Sequence, residues 1–362
     1  MSNPLVAWDR FWFTSRSAST AALVRIWGAL VLLGWGLTMG ADLLSFFGPH
    51  GIQPRQPNYK LTGLKGIWSV LGPSPTGPTI AIVYGLFLLG ALCLLVGFHS
   101  RLAALVVFVG MVSFTRRDPL VANSGDALLR VLCFYLLLVP GGAALSLDRW
   151  RQVRKTGGDF WASPARAVWP LRLMQIQLSV AYLAAVWAKV GGITWRQGTA
   201  VSFALQTNFI RRLPLPAGLV HSLLLSNILT YGTLATELSL GLLVWNRRLR
   251  PRVLLVGVAF HLALDYAFRV GFFSYAMFVL YLAFVPPERV DAWLSAGRAR
   301  LARRRTRHRP GDGGPGDDGR QTVVGDEGPV DDRAGVTAGA VAEPTAGADA
   351  VVGEASPGVG RG

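Results

Sequence analysis

One long apolar stretch, residues 170–189, most constrains how this chain can fold. It is long and apolar enough to cross a bilayer, yet it carries five polar side chains at helical spacing: Arg172, Gln175, Ser179, Tyr182 and Lys189. On a helix these side chains lie along one stripe. A polar stripe is costly against lipid tails, so it is predicted to face other helices or a hydrated cavity.

The composition predicts an all-α, polytopic integral membrane protein. Hydrophobic residues make up 51% of the 362-residue chain and charged residues only 15%, and the mean hydropathy is +0.39. The net charge of +16 comes largely from arginines in short loops, which is the positive-inside pattern and not the pattern of a nucleic-acid-binding protein. Cys93 and Cys133 lie in apolar runs, and neither a disulfide nor a metal site is predicted.

We predict a bundle of about eight membrane spans. Their residue ranges are 21–44, 79–97, 102–114, 127–139, 170–189, 219–245, 253–268 and 272–285. The third and fourth are short for a bilayer. The apolar segment 199–209 is predicted to be re-entrant or to lie on the membrane surface.

Four regions are predicted along the chain. Residues 1–20 form an interfacial N-terminal helix and residues 21–290 the transmembrane domain. Residues 291–310 form a basic membrane-proximal helix, and the acidic tail 311–362 is disordered. No cleavable signal peptide is predicted. The distribution of short-loop arginines predicts a multi-pass plasma-membrane protein with both termini in the cytoplasm.

An ordered series of landmarks runs through the predicted transmembrane domain. They are Arg25 in VRIWG, VGFHSR at 96–101, Asn123, SLD at 146–148, YLAAVWAK at 182–189 with Trp195 and Gly198, ELSLG at 237–241, and FH at 260–261 with FFS at 272–274. In order and spacing the chain resembles the HTTM (horizontally transferred transmembrane) domain family, which includes the membrane region of vitamin K-dependent gamma-carboxylase.

This resemblance implies a carboxylase-like membrane enzyme that uses a reduced, vitamin K-like quinone. A lysine matching Lys189 is the base that deprotonates the hydroquinone in the carboxylase. The chain departs from the carboxylase at Ser124, where the carboxylase has a histidine, and it has no large domain after the membrane region. Processive carboxylation of a protein substrate is therefore not expected.

The residues themselves support more than one interpretation of the candidate catalytic pair, Lys189 and His261. Lys189 is either a desolvated base or a lysine that snorkels to the interface. His261, one helical turn before Asp265, is either a proton carrier oriented by that carboxylate or part of a polar pair between helices. We expect Asp126 and Arg130 to form an internal ion pair.

Six further residues are candidate substrate-binding residues: Arg25, Asn123, Gln175, Tyr182, Trp195 and Glu237. Glu237 lies inside a span, so it is predicted to be protonated or paired with Arg25 or Lys189. Asn123 and Gln175 suit a quinone carbonyl or a bond between helices.

The amino-acid sequence is compatible with three functions. They are a quinone-dependent or lipid-dependent enzyme, a lipid-binding or transport protein with a relay through Glu237, His261 and Asp265, and a scaffold. The predicted partners are the bilayer and a quinone or lipid ligand.

Overall fold

Helices form nearly all of the regular structure. The computed structural model describes residues 3–52, 69–72, 75–117, 122–213, 216, 218 and 221–307. In this part of the chain there are fourteen α-helices: α1 Pro4–Phe13, α2 Ser19–Gly40, α3 Leu43–Phe47, α4 Gly77–Val96, α5 Ser100–Arg117, α6 Ser124–Leu138, α7 Leu147–Thr156, α8 Trp169–Val190, α9 Ile193–Arg196, α10 Ala200–Gln206, α11 Leu223–Leu242, α12 Arg250–Ala267, α13 Phe273–Leu282 and α14 Pro287–Arg307.

Among the described residues, four segments are long and apolar enough to cross a membrane: Ser19–Gly40, Gly77–Val96, Trp169–Val190 and Leu223–Trp245. The last joins α11 to a short 3-10 helix. The other four predicted spans are also helices, α5, α6, α12 and α13. At 10 residues, α13 covers only about 15 Å of a hydrocarbon layer about 30 Å thick. The helical bundle is therefore confirmed, whereas the count of eight spans stays a prediction.

The core lies between α2 and the helices around it. Helix α2 packs against α4, α6 and α13, and α8 packs against α11 and α13. Val24, Leu32, Phe87, Leu129 and Met277 are almost completely buried where these helices meet. Close van der Waals packing of such side chains holds the helices of the bundle together. The contacts of α8 with α11 and α13 fix its position beside them.

The N-terminal segment begins with α1, which Asn3 caps by accepting a hydrogen bond from the Leu5 amide. Strand β1 (Ser15–Ser17) then pairs in antiparallel register with β2 (Ala165–Ala167). The ring of Phe11 lies 6.2 Å from that of Trp245. An interfacial position for residues 1–20 stays a prediction.

The basic helix after the bundle begins at Pro287, earlier than the predicted 291–310 segment. Arg298 forms an ion pair with Asp159 at 3.2 Å, and its guanidinium lies 5.5 Å from the centroid of the Trp161 ring. The predicted tail 311–362 lies outside the described residues.

The start of α6 corrects one predicted ion pair. The Asn123 side chain accepts from the Gly125 and Asp126 amides, and the Asp126 carboxylate accepts from the Asn123 amide. The second Asp126 oxygen accepts from Trp35 Nε1 at 2.7 Å. This capping box and the indole bind the carboxylate. The described residues show no Asp126–Arg130 ion pair within 4 Å, so that predicted pairing was wrong.

Candidate functional site

An ion pair joins the end of α8 to the second half of α11. Lys189 Nζ donates to Glu237 Oε1 at 2.6 Å and to Oε2 at 2.7 Å. The Glu237 side chain is 8% exposed and that of Lys189 is 23% exposed. Glu237 was predicted to be protonated or paired with Arg25 or Lys189, and its partner is Lys189. A lysine in the last turn of a helix is also favoured by the helix dipole.

The cation of this pair is covered on one side by an aromatic ring. The Trp195 ring centroid lies 5.3 Å from Lys189 Nζ, which is within cation–π range. Helix α9 positions Trp195, and the turn through Gly191 and Gly192 joins α9 to α8. Trp187 lies nearby in sequence and is 85% exposed. The Lys189 end of α8 therefore brings together the buried carboxylate of Glu237, the partly exposed ammonium of Lys189 and the aromatic ring of Trp195.

A second polar cluster lies further inside the bundle on the same stripe of α8. The hydroxyl of Tyr182 is 2.7 Å from His261 Nε2 on α12 and 2.5 Å from the hydroxyl of Tyr281 on α13. All three side chains are buried. His261 Nδ1 has no hydrogen-bond partner in the described part of the chain. This cluster joins three helices, and it leaves the imidazole one unused polar atom.

Asp265 does not orient His261, and the predicted pairing of these two residues was wrong. The Asp265 carboxylate is 3.4 Å from an Arg212 nitrogen and accepts from the Tyr275 hydroxyl at 3.4 Å. An isolated bridge between Arg211 and Phe268 brings Arg212 to the end of α12. The i, i+4 spacing puts the two residues on one face, but competing partners determine the contacts they make.

Arg25 is completely buried and bonded to the backbone. Its guanidinium donates to four carbonyl oxygens, those of Gly141 at 3.0 Å, Leu94 at 2.5 Å, Leu95 at 2.6 Å and Leu145 at 2.6 Å. These carbonyls lie at the end of α4 and in the loop after α6. Arg25 therefore holds two chain segments against α2, and it does not pair with Glu237.

The remaining predicted binding residues lie apart from the ion pair. Gln175 donates to the Ala283 carbonyl at 2.6 Å and accepts from Arg172 at 2.8 Å. Asn123 borders a cavity of about 280 Å³ that is also lined by Trp35 and Phe272. The structure thus brings Lys189, Glu237 and Trp195 together, with Tyr182 on the same stripe. It separates Arg25, Asn123 and Gln175 from them.

Tyr281 is a site residue that sequence analysis missed. It lies in an apolar run, where one phenol among aliphatic and aromatic neighbours gives no periodic signal. The only available signal was that a buried tyrosine hydroxyl needs a partner. In the described residues, no group of three or more His, Cys, Asp or Glu side chains is arranged to hold a metal ion.

The apolar helices and the charged pair between them define a polytopic helical membrane protein. The chain belongs to the HTTM domain family, whose model matches residues 24–289. The family assignment made from the ordered landmarks is thus confirmed. Neither the curated proteins nor the solved structures contain a significant match to the chain.

Proposed function

We propose that this protein is a membrane enzyme that removes a proton from a lipid-soluble molecule with an acidic hydroxyl, such as a reduced quinone. Lys189 is the base and Glu237 its partner. The observation that carries the proposal is the two-oxygen ion pair at 2.6 and 2.7 Å, buried at the carboxylate and partly exposed at the cation.

The low polarity around the pair gives Lys189 a route to its basic form. Two charges are costly to keep away from water, and moving one proton from Nζ to Glu237 removes both charges. The lysine then has a free lone pair that can accept a proton from a hydroxyl group. Glu237 thus regulates Lys189 and stores the proton that Lys189 gives up.

The residues present suit a flat, weakly acidic ligand. Trp195 supplies an aromatic surface beside Nζ, and the partial exposure of Lys189 leaves that side chain accessible. A reduced quinone would supply the acidic hydroxyl. The chain lacks the histidine of the carboxylase at Ser124, so we do not extend the proposal to carboxylation of a protein substrate.

We also propose that the Lys189 end of α8 lies toward the outside of a plasma membrane, with both termini in the cytoplasm. The support is the distribution of arginines. Arg149, Arg151, Arg154, Arg247 and Arg248 lie in short segments that join the other ends of the helices.

Transport through a relay is the second candidate, and the buried Tyr182, His261 and Tyr281 cluster favours it. The relay would need His261 to pass protons to Asp265. Asp265 is instead engaged with Arg212 and Tyr275. Proton abstraction at Lys189 therefore agrees better with the geometry.

The test compares ligands that copurify with the protein and the turnover of a reduced quinone, which is its oxidation by dissolved oxygen after Lys189 has removed the hydroxyl proton. Wild type, Lys189→Ala, Glu237→Gln and the control Arg196→Ala are purified in mild detergent, and bound lipids and quinones are identified by mass spectrometry. Arg196 is an exposed cation on α9, close in sequence to Lys189. We expect a specific quinone in wild type and Arg196→Ala, and no turnover in a folded Lys189→Ala variant.

Two results would contradict the proposal. One is turnover that survives Lys189→Ala. The other is the same bulk phospholipid in every sample with no quinone, which would make the ion pair a structural contact between α8 and α11.

A further inference from the structure

A cavity of about 490 Å³ lies at the opposite end of α8 from Lys189. The β1 and β2 strands, the first turn of α8, the turn before α12 and the junction of α13 with α14 enclose it. Arg172, at the α8 side of this cavity, is about 25 Å from Lys189 along the helix axis at about 1.5 Å per residue. The cavity is therefore separate from the site proposed above, and nothing that follows depends on that proposal.

Six arginines line this cavity, together with a single carboxylate. The arginines are Arg16, Arg166, Arg172, Arg247, Arg250 and Arg289. The carboxylate, Glu288, is already paired with Arg16 at 3.2 Å. Among the described residues the other five arginines form no ion pair. Arg172 and Arg250 are partly buried, and their unbalanced positive charge is unfavourable unless an anion neutralises it.

The strand register places two of these positive charges directly opposite each other. Arg16 of β1 pairs with Arg166 of β2 in the antiparallel ladder. Like charges at directly opposed positions destabilise a sheet. A stabilising role for this arrangement therefore requires negative charge nearby, and the two carboxylates of α14 that bond to β1, Glu288 on Arg16 and Asp291 on Ser17, are fewer than the six arginines.

Two other arginines are held in fixed orientations before any ligand binds. Arg172 donates to Gln175 at 2.8 Å and stacks on the Phe11 ring at 4.7 Å. Arg250 donates from Nε to the Val244 carbonyl at 2.9 Å and lies 5.5 Å from the Phe284 ring centroid. Fixed guanidinium planes lose little entropy on binding an oxyanion. Arg172 Nε is buried and has no partner in the described residues.

We infer that this cavity, the arginine cavity, binds the phosphate group of an anionic ligand. Guanidinium groups match phosphate oxygens in geometry and charge. Basic pockets between membrane helices suit anionic lipid head groups. Leu171, Leu254 and Phe284 also line the cavity and supply apolar surface for the acyl chains of a lipid. A phospholipid head group and a soluble phosphate ester share this chemistry, and the experiment separates them.

The experiment measures binding to the full-length protein in mild detergent. Phosphatidylglycerol, phosphatidylcholine and glycerol phosphate are titrated separately, with native mass spectrometry and thermal unfolding as readouts. The test variant is Arg172→Gln/Arg250→Gln. The matched control is Arg154→Gln/Arg252→Gln, which removes two exposed positive charges outside the cavity lining.

We expect phosphatidylglycerol to bind and stabilise the wild type and the control, and phosphatidylcholine to do neither. Each lost arginine should weaken binding about tenfold, as for a charge-assisted hydrogen bond. If glycerol phosphate binds as well as the lipid, a soluble phosphate ester is the ligand class, and the arginine cavity is still a phosphate site.

A second variant keeps the test decisive if the double variant does not fold. Arg289 lies exposed in the first turn of α14, and Arg289→Gln removes one cavity charge without touching a buried contact. The inference is overturned if wild type binds neither anion in preference to phosphatidylcholine. It is also overturned if folded cavity variants bind the anion as tightly as the control does.

Discussion

The ion pair between Lys189 and Glu237 makes a quantitative prediction, because its two partners differ in exposure. We consider Lys189→Met, Glu237→Leu and the double variant. Lys189→Met leaves a carboxylate that is 8% exposed without its cation, whereas Glu237→Leu leaves an ammonium that is 23% exposed. The lysine side chain is long and flexible and can move its charge toward water, which the short glutamate cannot do.

The difference in exposure between the Glu237 and Lys189 side chains determines how much unfolding free energy each substitution costs. Removing one partner of a fully buried ion pair costs about 3–5 kcal/mol of unfolding free energy, because an unpaired charge stays in an apolar surrounding. We expect about 3 kcal/mol for Lys189→Met and, after a reduction for exposure, about 1 kcal/mol for Glu237→Leu. The double variant removes both charges and should lie within about 1 kcal/mol of wild type. The coupling free energy, which is the sum of the two single costs minus the cost of the double variant, is then about 4 kcal/mol.

The assay is equilibrium unfolding of the four proteins in mixed detergent micelles, with the exposed substitution Arg196→Met as a control. Helicity and tryptophan fluorescence report the transition, and a shared midpoint for the two signals supports two-state treatment. Additive effects of the two substitutions would refute the reasoning, because they would mean that the partners do not interact. A larger cost for Glu237→Leu than for Lys189→Met would refute the argument from exposure.

Three further predictions concern residues outside the pair. Arg25→Met removes hydrogen bonds to four backbone carbonyls. The Leu94 carbonyl keeps the Gly97 amide as a donor, so the loss at the other three should cost about 3 kcal/mol or more, measured as a loss of folded protein in detergent at equal expression. Asn123→Ala removes the cap of α6 and should cost about 1 kcal/mol in the same unfolding assay. Two groups hold the pKa of Asp159 below its usual value of 3.8. The larger effect is the hydrogen bond from the Trp161 amide, and the Arg298 guanidinium adds to it. The contact with Arg298 is therefore fully present well above pH 3.8 and is lost as the pH falls through the lower pKa that Asp159 has in the folded protein, so the protection factors of the α14 amides, which correct for the intrinsic exchange rate, should fall between about pH 4 and about pH 2 in wild type but not in Arg298→Gln.

The polar stripe of α8 shows what helical spacing can predict. Gln175, Ser179 and Tyr182 are buried against other helices, as the period of the pattern required. For Glu237, the sequence predicted an ion pair with either Arg25 or Lys189 as one possibility but did not decide between the two cations. Which cation lies within reach depends on how α11 crosses α8, and this crossing is determined by packing that a single sequence does not encode locally.

The two wrong predictions share one cause. His261 with Asp265 and Asp126 with Arg130 were both paired because they lie four residues apart on a helix. In the structure Trp35 and the α6 cap take the Asp126 carboxylate, and Arg212 lies beside Asp265. Partners from other elements decide these contacts, so neighbours along a helix are a weak guide for buried carboxylates.

The two ends of α8 differ in how their charge is balanced, and this difference separates two kinds of site. At the Lys189 end one cation meets one carboxylate, so the pair is neutral and suits a neutral ligand that exchanges a proton. At the Arg172 end five arginines lack a carboxylate partner in the described residues, so that end suits an anion that stays bound. High salt should therefore weaken ligand binding at the arginine cavity and leave the Lys189 site nearly unchanged, because screening acts on net charge that is open to water.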